Sequence, residues 1–72
     1  MIIEFSEHKS MEVNSRSDFI NEMKRLVNQS VILTFRKRVL FVDVSIKSCG
    51  ELVLSDSHNG SEVNVNLISS ML

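Results

Sequence analysis

An α+β fold, mostly β, is what this sequence predicts: one helix packed on a strongly twisted antiparallel sheet. Three observations predict it. Residues 31–46, Val-Ile-Leu-Thr-Phe-Arg-Lys-Arg-Val-Leu-Phe-Val-Asp-Val-Ser-Ile, form two β-rich arms around a basic tip, with no Pro or Gly to interrupt them. Phe19, Ile20, Met23, Leu26 and Val27 recur at i, i+1, i+4, i+7 and i+8, the stripe of an amphipathic helix. Gly50 and the Asn59-Gly60 pair punctuate the C-terminal half where hairpins need positive φ.

The elements follow in order. Residues 1–5, Met-Ile-Ile-Glu-Phe, read as a short strand or as an apolar arm, either joining the sheet or packing over it. Residues 6–10 read as a polar loop, and Met11-Glu12-Val13 as extended chain. Ser15-Arg16-Ser17-Asp18 has the form of a capping box with Asp in place of Glu, and Asp18 suits the positive end of a helix dipole. The helix is placed at residues 16–28, with Lys24 and Arg25 near its C-terminus and Asn28 as a left-handed cap.

In the central stretch, setting Phe35 opposite Leu40 brings Leu33 to Val42 and Val31 to Val44. One side is then wholly apolar. The other carries Ile32, Thr34, Arg36, Val39, Phe41 and Asp43, and a slip of one residue would bring Phe41 and Asp43 onto the Val31 face. A three-residue loop at residues 48–50 sets Lys47 opposite Glu51, Ile46 opposite Leu52 and Val44 opposite Leu54, so residues 52–55 form the next strand. Residues 55–61 are a turn that Asp56 and Asn59 are expected to close with their own side chains. Glu62-Val63-Asn64-Val65-Asn66-Leu67 alternates as a strand, and residues 68–72 end the chain as a short strand or a helical turn. The whole is a single domain over residues 1–72: an arm at 1–15, the helix at 16–28 and the antiparallel sheet at 31–72.

Composition narrows the function classes. Seventy-two residues make one domain, and a chain this short buries only about 60% of its unfolded surface. Burial between subunits would supplement that core. The formal net charge is −1, so nucleic-acid binding would need a local basic patch. The single Cys49 excludes an intrachain disulfide and a thiolate-rich zinc site, and favours a reducing, cytoplasmic setting. The longest apolar run, residues 39–42, is far short of the roughly 20 residues a membrane span needs, so neither a span nor a signal peptide is expected.

Catalysis, cofactors and metals are not expected. His8 and His58 lie in predicted loops without evident partners, and Cys49 is a turn thiol with no designated base. Arg36, Lys37 and Arg38 carry more chemistry. They read as a solvated hairpin tip whose charges discourage aggregation, or as a phosphate-contacting finger for nucleic acid or an acidic protein surface. Phe5, Phe19, Phe35 and Phe41 are the only aromatic residues. Phe19 and Phe35 belong to the expected core. Phe41 stands on the less apolar sheet face, where it is either a stacking platform or covered by residues 1–5 or a subunit contact.

The order of helix, strand, long strand, strand, strand and short terminal strand resembles that of the Sm-like family of Sm, LSm and Hfq proteins. The likeness covers roughly residues 17–72. It is nearest in Asn64-Val65-Asn66 and Ile68-Ser69-Ser70, which stand where Hfq has Tyr-Lys-His and Ile-Ser-Thr. The family's Lys-His and Arg-Gly pairs are absent, and Asp43 and Ser45 occupy the region of its mid-strand glycine. The resemblance implies an N-terminal helix on a strongly bent, five-stranded small barrel. It also implies a ring-shaped homo-oligomer closed by strand pairing, and single-stranded RNA as ligand. Asn66 would then read a base edge through its amide, with Arg36, Lys37 and Arg38 on phosphates. The alternative function is a small protein-interaction or inhibitor module without nucleic acid. It would act on an unknown protein partner through a sheet edge or the basic hairpin.

Overall fold

The computed structural model describes residues 1–5 and 9–72. In chain order it holds β1 (Ile2–Phe5), β2 (Lys9–Glu12), α1 (Arg16–Arg25), β3 (Ser30–Phe35), β4 (Arg38–Ile46), β5 (Leu52–Asp56), β6 (Glu62–Val63) and α2 (Val65–Ser70). The six strands form one open sheet in the order β2-β1-β3-β4-β5-β6, every pair antiparallel.

This corrects the five-stranded Sm-like barrel with an N-terminal helix. The helix stands in the middle of the chain, after a hairpin, and the sheet does not close. Ile2, Ile3 and Glu4 pair with Thr34, Leu33 and Ile32, so β1 occupies the edge of β3. Val13 and Met1 exchange backbone bonds across the hairpin, and Ile3 and Val13 are buried. The arm is therefore part of the sheet and supplies core residues. At the other end β6 is only two residues long, too short to carry the sheet round.

α1 begins where the capping signal lies. Ser15 has extended backbone and its Oγ accepts from the Asp18 amide at 3.2 Å. The helix stops at Arg25 with Leu26 as its cap, three residues before the expected end, and Asn28 takes the left-handed conformation at φ 69°. Phe19, Met23 and Leu26 are buried; Ile20 and Val27 pack at the margin.

The β3–β4 register differs from expectation by two residues. Phe35 pairs with Arg38, Leu33 with Leu40 and Val31 with Val42. The tip is a tight two-residue turn, Arg36-Lys37, with both residues at positive φ (46° and 63°). A two-residue slip preserves the faces, so Val31, Leu33, Phe35, Val42 and Val44 still share the buried side. The β4–β5 register is as expected: Ile46 opposite Leu52, Val44 opposite Leu54, and Gly50 at φ 91° in the loop.

The predicted strand over residues 62–67 ends at Val63. Asn64 Oδ1 accepts from the Leu67 amide at 3.0 Å and caps α2, so the alternation of residues 64–67 gives way to helix. α2 returns to the same face as α1 and contributes Ile68 to the core. The hydroxyl of the buried Ser69 donates to the Asn66 carbonyl at 3.2 Å. Both helices thus cover one side of the sheet. Among the described residues nothing covers the other side.

Candidate functional site

The open side is defined by alternation and register. Partners opposite one another in an antiparallel ladder point to the same face. Glu12, Ile2, Thr34 and Val39 therefore form one row across β2, β1, β3 and β4. Ser10, Glu4, Ile32 and Phe41 form the next. Ser30, Asp43, Ser55 and Glu62 form a third across β3, β4, β5 and β6.

The first two rows hold a continuous apolar patch, Ile2, Val39, Ile32 and Phe41 around Thr34. Three of its members are far from buried: Ile2 at 41% exposure, Val39 at 53% and Phe41 at 43%. Scattered exposed apolar residues are ordinary, but neighbours gathered on one sheet face mark an interaction surface. The third row is polar and ordered. Asp43 Oδ1 accepts from the hydroxyls of Ser30 and Ser57, one from each side of β4.

The turn after β5 builds a wall beside this patch. Asp56 Oδ1 accepts from the amides of His58 and Asn59, and Asn59 Oδ1 accepts from the Ser61 amide, which is the closure expected of Asp56 and Asn59. The Ser57 amide donates to the Phe41 carbonyl at 2.9 Å, and the His58 ring meets Phe41 edge-on with centroids 5.5 Å apart. Together Ser30, Val31, Ile32, Phe41, Ser57 and His58 line an open cleft of about 420 Å³.

The residues expected to touch nucleic acid are placed otherwise. Asn66 lies on α2, on the helix-covered side, and its Oδ1 accepts from Arg16 Nη2 at 2.9 Å. Arg36 turns toward the same helix and donates from Nη2 to the Met71 carbonyl at 3.1 Å, the favoured place for a cation at a helix C-terminus. Lys37 is exposed at the tip, and Arg38, opposite Phe35, is exposed at the rim of the helix-covered face. The structure brings Asn66 and Arg36 to opposite ends of α2 as internal contacts rather than into one surface.

Phe41 is not covered by residues 1–5, because β1 lies beside β3 in the sheet instead of over it. Cys49 is exposed in its turn. His8 lies outside the described residues. Lys47 pairs with Glu51 at 3.3 Å; the hydrogen bond to that carboxylate, with its charge and that of Glu62, raises the lysine pKa above its ordinary 10.5. Among the described residues no three His, Cys, Asp or Glu side chains gather as metal ligands would. Among the described residues no helix is long and apolar enough to cross a membrane.

Ile32, Thr34, Val39, Phe41 and Asp43 were legible as one face from alternation alone. Ile2, Glu4 and Glu12 were not, because nothing local says that residues 1–5 pair with β3. Comparison with protein-family models, with curated proteins and with solved structures finds no match for this chain.

Proposed function

We propose that this chain is a small, non-catalytic protein-interaction module that docks a partner on its open sheet face. The observation that carries the proposal is the uncovered apolar patch of Ile2, Ile32, Val39 and Phe41, with a cleft at its margin. The face is a better docking element than the edges. β2 has only four residues and carries Lys9 and Glu12, and β6 has two, both features that blunt edge pairing. The basic hairpin is also less suited, since Arg36 is committed to α2.

The ring-forming RNA reading loses the support it drew from the barrel, and the segments that would close a ring are now mostly helix. A cytoplasmic setting accords with the exposed thiol of Cys49.

Site-specific photocrosslinking in the producing cell tests the proposal. A photoreactive residue at Val39 should give a discrete protein adduct that Phe41→Glu abolishes, while the same residue at Lys24, on α1, should not. An adduct of twice the chain mass would identify a homo-oligomer on this face. Crosslinking to RNA, or identical adducts from both positions, would overturn the proposal.

A further inference from the structure

The near-zero net charge of the chain conceals a segregation. Every charged strand residue on the open face is acidic: Glu4 and Glu12 flank the apolar patch on one side, Asp43 and Glu62 on the other. Most of the cations stand elsewhere. Arg16, Lys24 and Arg25 are on α1, Lys9 and Arg38 face the helix side opposite Phe5 and Phe35, and Arg36 bonds to the end of α2. Lys47, just past β4 and in alternation with Asp43 and Ser45, is the exception: it pairs with Glu51 at 3.3 Å and lies within reach of the Glu62 charge, while Lys37 is exposed at the tip of the β3–β4 hairpin. Among the described residues no cation forms an ion pair with Glu4, Glu12 or Asp43.

Asp43 is the best placed of the four. Two hydroxyls fix its carboxylate on one oxygen without neutralising it, and their residues, Ser30 and Ser57, line the same cleft as Phe41 and His58. A fixed, charged acceptor next to an apolar cleft suits a guanidinium or ammonium group attached to an aromatic or aliphatic anchor.

Resting on the docking role proposed above, we infer that the partner of the open face is a cationic protein surface. It seats an apolar anchor in the Phe41–His58 cleft and sets Lys or Arg side chains on Asp43 and Glu4. A second copy of this chain, docked face to face, would bring acidic rows together, which disfavours it. A phosphate backbone meets the same repulsion.

Three synthetic peptides serve as probes for an amide-resolved NMR titration at low salt: Arg-Leu-Arg-Trp-Arg-Leu-Arg, and its analogues with Gln or Glu in place of Arg. The cationic peptide should shift the amides of Ile32, Phe41, Asp43 and His58, and bind on the order of tenfold more tightly than either analogue. Its affinity should fall as salt rises. The folded double variant Glu4→Gln, Asp43→Asn, which keeps the acceptor oxygen at position 43, should lose most of that preference.

Equal binding of all three peptides at this face would overturn the charge inference and leave the docking role standing. Cationic binding mapped to the α1 side, or no cationic binding up to millimolar peptide, would also overturn it. The Val39 crosslink reports on the docking role independently.

Discussion

Leu33 has no exposed surface. It lies in β3 between Ile3 of β1 and Leu40 of β4, on the face that receives α1 and α2. Truncation there removes apolar burial and leaves a cavity in a core with few residues to collapse into it. Leu33→Ala should cost about 2–5 kcal/mol, a large part of the stability a domain of this size has. Urea unfolding followed by circular dichroism checks this; a loss under about half a kcal/mol would place Leu33 outside the cooperative core. At this scale the sequence was a good guide, since burial at Phe19, Met23, Val31, Leu33, Val42 and Val44 follows from period alone. It was a poor guide to Asn66, whose partner Arg16 is fifty positions away.

The hairpin of β3 and β4 shows where legibility ends for elements. Faces were readable because alternation fixes them, but a register shift of two keeps the faces and changes the turn. A two-residue turn of type I′ needs positive φ at both central positions, and the usual signal for it is Asn or Gly. Here Arg36 and Lys37 adopt that conformation without either residue, so the tip carried no signal. An L-residue in the left-handed region is disfavoured by about 1–2 kcal/mol, part of which a glycine's greater unfolded-state freedom would cancel. Lys37→Gly should therefore stabilise the protein by about 0.5–1 kcal/mol, with Arg36 left in place to hold Met71. A lower urea midpoint in this variant would contradict the two-residue tip. The same limit applied to α2: residues 62–67 alternate as a strand, and only the side chain of Asn64 reaching the Leu67 amide decides for helix.

At the scale of the molecule, the decisive feature is long-range and left little local trace. Residues 1–5 have the apolar content of a strand, yet their position between β2 and β3 follows from a pairing with residues 32–34. That pairing makes the sheet open and six-stranded, carries Ile2, Glu4 and Glu12 onto the open face, and buries Ile3 and Val13 in the core. It also gives a sharp test. If residues 1–15 were an arm on a self-sufficient unit, a chain of residues 15–72 would fold alone. In the structure that chain lacks two core side chains, exposes the whole edge of β3, and uncovers Leu33. It should show no cooperative thermal transition and no dispersed amide spectrum. Adding back a peptide of residues 1–14 should restore both, because the missing strands supply the complementary edge and the apolar plug at once. Cooperative unfolding of residues 15–72 with near-native stability would show that the N-terminal hairpin is peripheral, and would remove the ladder on which the open face is built.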